Sequence, residues 1–220
     1  MTDFMRMDLH LHTRGSWDCL SDPETILSRA RTRGIDRIAI TDHNSLTVAL
    51  EMARRYPDEV IAGEEVKTAE GVDVIGLYLS SEIPKGTPAE ETCRQIRDQG
   101  GVVYLPHPYA PGKGGSGQLA ETLARYLDVV EVFNARLRNR ERNDKGERLS
   151  LRYGLLRGAG SDAHSIGEIG NAWVQLPRHP NEPQAFLGAL RSATIHGTTA
   201  SLHVFLLSNW AKVRKRLPGV

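Results

Sequence analysis

Five of the eight histidines in this 220-residue chain lie in compact polar clusters with Asp, Pro or another His. His10 and His12 stand in Asp8-Leu9-His10-Leu11-His12-Thr13. Strand alternation predicts that both imidazoles point to one side and Leu9 and Leu11 to the other, so that two ring nitrogens can reach one metal ion. A lone His-x-His is also compatible with two hydrogen-bonded loop histidines, so its neighbours matter. Ile38-Ala39-Ile40 runs into Thr41-Asp42-His43-Asn44, and a third apolar run ends in Gly63-Glu64-Glu65, where alternation lets one glutamate face inward; we assign Glu65 to that position. In Pro106-His107-Pro108 the flanking prolines restrict the backbone and reduce the entropy lost in fixing a ligand. Glu131-Val132-Phe133-Asn134 and Gly160-Ser161-Asp162-Ala163-His164 close two more runs with polar side chains. Recurrence of nitrogen and oxygen donors at six such ends points to one metal centre.

The elements that must position these donors are short β-type runs at residues 4–10, 37–40, 60–62, 72–79, 102–105, 129–133, 158–160 and 172–176. Helical patterns alternate with them. Asp22-Pro23-Glu24 predicts a helix to about Arg33 with Gly34 as its stop, and Thr87-Pro88-Ala89-Glu90 predicts another ending at Gly100-Gly101. Most strands are too apolar for one wet face. This predicts an α/β fold with a parallel sheet under helices, either an open sheet or a closed barrel, with ligands at the carboxyl ends of the strands.

Composition matches a soluble globular protein with a folded core. Lys and Arg total 28 against 27 Asp and Glu, for a net charge of +1, so no general pull toward nucleic acid or anionic lipid is expected. Hydrophobic residues at 40% and charged residues at 25% exclude a disordered chain. Charged residues in the first eleven positions and the lack of a long apolar run argue against secretion and membrane spanning. Two cysteines, Cys19 and Cys93, exclude a disulfide framework and fit a cytoplasmic protein. One domain over residues 1–220 is expected, with a mobile Gly-rich loop at 111–117 and a C-terminal docking helix at 200–216.

From about Phe4 to Leu176 the chain resembles the PHP phosphoesterase family, named for polymerase and histidinol phosphatase. The resemblance is carried, in order, by Asp8-Leu9-His10-Leu11-His12-Thr13, Ile40-Thr41-Asp42-His43, Gly63-Glu64-Glu65, His107-Pro108 and Gly160-Ser161-Asp162-Ala163-His164. It implies a distorted (β/α)7 barrel with two or three metals at the strands' carboxyl ends. By that analogy His10, His12, Glu65 and Asp162 share one ion, Glu65 and His107 hold a second, and Asp18, His43 and His164 belong to a third. One position departs from the pattern: many members carry a histidine where this chain has Asp73, in Gly71-Val72-Asp73-Val74. Asp73 would be either an oxygen ligand favouring a harder ion or an ordinary strand residue.

Imidazole and carboxylate donors without thiolate fit Zn2+, Mn2+ or Fe2+. Three divalent ions would exceed the ligand carboxylates Asp18, Glu65 and Asp162, with or without Asp73, by about two to three charges, which favours an anionic substrate in a cleft of reduced dielectric. The expected activity is hydrolysis of a small phosphorylated metabolite or nucleotide by a hydroxide formed when the cations lower the pKa of water from about 15.7 toward about 7. Arg14 and Arg136, with Arg138, are candidate phosphate clamps, and His164 is a candidate proton donor to the leaving group. The basic run at 134–145 suggests oligonucleotides as an alternative substrate, but Glu141, Asp144 and Glu147 and the lack of aromatic residues favour a solvated helix face. A non-catalytic, metal-stabilised binding module is the third reading. A membrane anchor at the tail is not expected.

Overall fold

The computed structural model describes residues 3–112 and 114–216; Lys113, in the Gly-rich loop, and the two ends of the expected domain lie outside the described residues. Sixteen main elements follow one another. They are β1 (Phe4–Leu11), α1 (Pro23–Thr32), β2 (Arg37–His43), α2 (Thr47–Arg55), β3 (Val60–Lys67), β4 (Asp73–Leu77), α3 (Ala89–Asp98) and β5 (Val102–Leu105). There follow α4 (Leu119–Leu123), β6 (Val129–Asn134), α5 (Arg140–Tyr153), β7 (Leu156–Gly160), β8 (Ala172–Pro177), α6 (Pro183–Leu190), β9 (Thr194–Gly197) and α7 (Val204–Arg214). The predicted helix boundaries at Asp22 and Thr87 correspond to α1 and α3. Asp22 caps α1 by accepting from Thr25 N at 3.0 Å, and Pro23 occupies the first turn, where its missing N–H costs nothing.

The nine strands form one sheet in the order β7-β6-β5-β4-β3-β2-β1-β8-β9. The sheet nearly closes on itself: Leu11 bridges Ala163 in parallel, His12 N donates to Ala163 O at 2.9 Å and Asp162 N donates to His10 O at 2.7 Å. The result is an α/β barrel-like sheet, as the resemblance implies. The expected all-parallel pattern is broken at two places. β4 runs antiparallel to both β3 and β5, and β8 antiparallel to β1. Only five residues separate Lys67 from Asp73, too few for a helical crossover, so β3 can only turn back on itself.

Two apolar clusters hold this sheet. One joins α1, α2, α3 and α5 to the outer sheet face through residues such as Ile26, Met52, Ile96 and Leu149. The other joins Met7, Leu9, Ala39, Ile61, Ile75, Tyr104 and Val129 with Phe186 of α6, and fills the space enclosed by the strands. Leu9 and Leu11 therefore do not share a side as alternation predicts: Leu9 packs in the second cluster and Leu11 in the first. The cause is a bulge in β1. Asp8 pairs with Ile38 and Leu11 with Ile40, three steps against two, and the extra residue re-aims the chain so that Leu9 fills the interior while His10 and His12 both reach the open end. Among the described residues no helix is long and apolar enough to cross a membrane.

Candidate metal centre

Strand ends bring the histidines and carboxylates together, and hydrogen bonds behind them decide which atoms face inward. His10 Nδ1 lies 3.1 Å from Glu131 Oε1, a carboxylate that can only accept, so Nδ1 carries a proton and Nε2 is the nitrogen that faces inward; against burial, Glu131, Glu65 and Asp162 raise this ring well above the usual imidazole range, so a cation is favoured here. For His12 the partner is Ser16 Oγ at 3.0 Å. That hydroxyl gives its own proton to Asp42 Oδ1 at 2.9 Å and accepts from His43 N at 2.9 Å, so His12 Nδ1 must donate and its Nε2 is a free lone pair. His10 Nε2 and His12 Nε2 then face each other at 3.2 Å. Two nitrogens at that distance repel unless a proton or a metal cation lies between them.

Glu65 Oε2 lies 3.6 Å from His10 Nε2 and 3.5 Å from His12 Nε2, and Asp162 Oδ1 lies 3.9 and 3.4 Å from the same nitrogens. Donors held about 2.1 Å from a common tetrahedral ion stand about 3.4 Å apart, so each carboxylate oxygen stands near coordination spacing from the two imidazole nitrogens, and His10, His12 and Asp162 lie close enough to share an ion. Glu65 Oε2 is buried without a hydrogen bond of normal geometry, as are Asp18 Oδ1 and His107 Nδ1. Buried polar atoms of this kind are rare unless a ligand completes them. The residues present fit divalent ions.

Around this core the other donors form two further groups. Glu65 Oε1 meets His107 Nε2 at 2.9 Å, and His10, Glu65 and His107 lie close enough to share an ion. His12, His43 and His164 form another group, with Asp18 Oδ1 3.7 Å from His43 Nε2 and Asp18 Oδ2 3.3 Å from His164 Nε2. His164 Nδ1 donates to Asp162 O at 2.8 Å, which turns Nε2 toward Asp18. Two of these residues have left-handed backbones, His107 at φ 28° and Asp162 at φ 52°. Such strain persists only where the surroundings enforce it: His107 N donates to Glu131 Oε2 at 2.8 Å and Asp162 N to His10 O.

Electrostatics follow the same arrangement. Burial, with His164 and His43 nearby, pushes His12 down to about 3, keeping it neutral and ready to ligate. Burial works against the charge of Asp162 and Glu65, yet the surrounding imidazoles hold both well below the usual carboxylate range. Against burial, Glu65 and Asp18 raise His43 to about 9.

Sequence reasoning missed the groups that orient these donors. Glu131 accepts four hydrogen bonds: from His10 Nδ1 at 3.1 Å and Tyr104 Oη at 3.0 Å on one oxygen, and from His107 N at 2.8 Å and Asn134 Nδ2 at 2.9 Å on the other. A glutamate inside Val-Val-Glu-Val-Phe was the available signal, since a carboxylate in so apolar a strand needs buried partners. Asn134, expected only as a polar strand end, also donates to Asp162 Oδ2 at 3.3 Å. Gly160 is required by close approach, because a Cβ there would collide with His10 Cβ and with Glu131 Oε1.

The donors open into a pocket of about 420 Å3 whose rim includes Trp17, Lys67, Lys85 and Lys212. Arg136 and His164 line it, whereas Arg14 does not: its guanidinium pairs with Asp22 on the exposed side of the following loop. Arg138 is exposed outside the lining. Arg136 is buried, its Nε on Glu168 Oε1 at 2.7 Å and its Nη2 near Ser208 Oγ at 3.3 Å, so it also ties α7 to the barrel. Breaking a buried ion pair on one side leaves an uncompensated charge, so Arg136→Met is expected to cost about 3–5 kcal/mol in urea unfolding. A loss below about 1 kcal/mol would show that Glu168 does not depend on it. Asp73 is also buried in the lining, where burial and the Glu65 carboxylate push it up to about 6, against the pull of His107 and Lys67.

The PHP domain family matches residues 8–145, and the PHP-associated family matches residues 140–195. The chain belongs to the PHP family. It is similar to two uncharacterized proteins of Methanocaldococcus jannaschii: one is 41% identical over 144 residues, 60% of this chain and 82% of the relative, and the other 35% identical over 201 residues, 86% and 81%. The fold is similar to that of a two-domain protein from Bacteroides vulgatus containing a predicted PHP-like metal-dependent phosphoesterase, with a TM-score of 0.67, 16% identity, and coverage of 94% of this chain and 70% of the other.

Proposed function

We propose that this protein is a metal-dependent phosphoesterase that hydrolyses a small phosphorylated metabolite or nucleotide. The observation that carries this reading is the convergence of His10 Nε2, His12 Nε2, Glu65 Oε2 and Asp162 Oδ1 near coordination spacing below a rim of three lysines. His10, His12, Glu65 and Asp162 would hold one divalent ion, Glu65 and His107 a second, and Asp18, His43 and His164 a third. Such ions would supply an activated water and neutralise charge on the phosphoryl group. Zn2+, Mn2+ and Fe2+ all suit the donor set. Lys67, Lys85 and Lys212 bind the anionic end of the substrate at the mouth, whereas His164, with its Nδ1 proton held by Asp162 O and its Nε2 turned to the donors, serves as a ligand and not as the expected proton donor to the departing alkoxide. The pocket volume suits a small molecule rather than a long polymer.

A panel of small phosphomonoesters, run on Mn2+-, Zn2+- and Fe2+-reconstituted protein and on chelated protein, tests the reading. Hydrolysis is expected with at least one metal and is expected to vanish on chelation. Background rates for every ester with all three metals bound would instead identify a metal-stabilised binding module.

A further inference from the structure

We propose that Lys67, held by Asp73, is a built-in cation of the pocket: Asp73 serves the lysine instead of a metal ion, and the ammonium grips the anionic group of the substrate. The inference rests on the phosphoesterase reading and assigns the binding group within it.

Lys67 and Asp73 stand directly opposite each other in the antiparallel β3–β4 ladder, at its end nearest the open mouth. Lys67 Nζ lies 2.6 Å from Asp73 Oδ1, an ion-pair contact that leaves this buried oxygen without a hydrogen bond of normal geometry, and both residues line the pocket. Among the described residues Asp73 belongs to none of the three donor groups able to share an ion. Its side chain is 2% exposed, while that of Lys67 is 33% exposed. The carboxylate is therefore covered and the ammonium, with further N–H donors to offer, is the exposed partner on the pocket lining. The pair is fixed on three sides. Lys67 N donates to Asn44 Oδ1 at 2.8 Å, Asp73 N donates to Gly114 O at 2.7 Å, and Lys67 Nζ approaches Gly71 O at 3.5 Å. Gly114, at φ +76°, packs so closely that a Cβ would collide with the Asp73 carboxylate and with Lys67 Nζ. A long lysine side chain ordinarily loses much rotamer freedom when it binds an anion; here the loop and the carboxylate have already removed it. An ammonium so placed also supplies positive charge beside Asp73, which feels the Glu65 carboxylate as well, where a further ion would otherwise be needed to balance it.

The test uses the full chain reconstituted with Mn2+, reading Mn2+ per chain by mass spectrometry and affinity for inorganic phosphate by titration calorimetry. Wild type, Asp73→Asn and Lys67→Met are expected to hold the same number of ions, with phosphate affinity lowered roughly tenfold or more in Lys67→Met and restored in part by Lys67→Arg. Loss of an ion in Asp73→Asn, or phosphate affinity unchanged in Lys67→Met, would overturn the proposal. Should either variant fail to fold, anomalous scattering from Mn2+-loaded wild-type crystals decides: an ion coordinated by Asp73 overturns it, and Asp73 bound only to Lys67 supports it. Wild type that grips phosphate through Lys67 but cleaves no ester would remove the phosphoesterase reading and leave this role of Lys67 intact.

Discussion

Glu65→Gln is expected to strip the centre of at least one ion and to lower phosphoester hydrolysis on the order of 10³-fold or more. The size follows from losing several kcal/mol of charge stabilisation at about 1.4 kcal/mol per factor of ten. Among the described residues no other carboxylate meets as many of the histidine donors. One Glu65 oxygen faces His10, His12 and His43 at 3.6, 3.5 and 2.9 Å, and the other meets His107 at 2.9 Å. Glutamine keeps the shape but replaces one oxygen with an N–H2 group that cannot ligate. Whichever way the amide is turned, either the three-histidine side or the His107 side loses its acceptor. The fold should survive, because β3 is held by ladders to β2 and β4 that do not use this side chain. Metal content after dialysis, read beside circular dichroism, checks the result; full metal occupancy with a native spectrum would remove Glu65 from the ligand set.

The donors were legible in the sequence because each falls at the end of an apolar run, and those runs also define the sheet. His10, His12, His43, Glu65, His107, Asp162 and His164 are accordingly brought to one pocket. Strand direction was less legible. An apolar run such as that around Val74 and Ile75 reads alike in either direction, and only the short connection after Lys67 marks the reversal of β4. The bulge in β1 leaves no mark either, since Leu9 and Leu11 are equally suited to either side of the sheet. Arg14 follows the first motif closely but turns outward to Asp22, because the loop that places Ser16 behind His12 carries it away from the mouth. Lys212 reaches the pocket from α7, nearly fifty residues after the last metal-type donor, and stands over the Trp17 ring at 4.8 Å; no local spacing could have joined those two. Local patterns reveal groups at strand ends, whereas pairings between remote segments emerge only from packing.

Glu131→Gln tests whether the missed carboxylate matters as much as the donors themselves. It is expected to weaken metal binding by about 10–100-fold, the range found when the group behind a ligating histidine is changed. Four hydrogen-bond donors converge on Glu131: the ring of His10, the hydroxyl of Tyr104, the backbone of His107 and the amide of Asn134. A carboxylate can accept all four. A glutamine has one acceptor oxygen and an amide that donates, so one pair must meet N–H against N–H or O–H. If the amide faces His10, the ring loses the acceptor that fixes its Nδ1 proton, and Nε2 is no longer held as the inward lone pair. If it faces His107, the left-handed backbone that aims that ring loses its anchor. Either outcome unsettles a donor without removing one, and an unsatisfied buried group adds about 1–3 kcal/mol of lost stability. Calorimetric titration with Mn2+ alongside urea unfolding separates the two effects: weaker binding at full stoichiometry fits an orienting role, loss of an ion would make Glu131 a ligand, and wild-type affinity would show that His10 needs no carboxylate behind it.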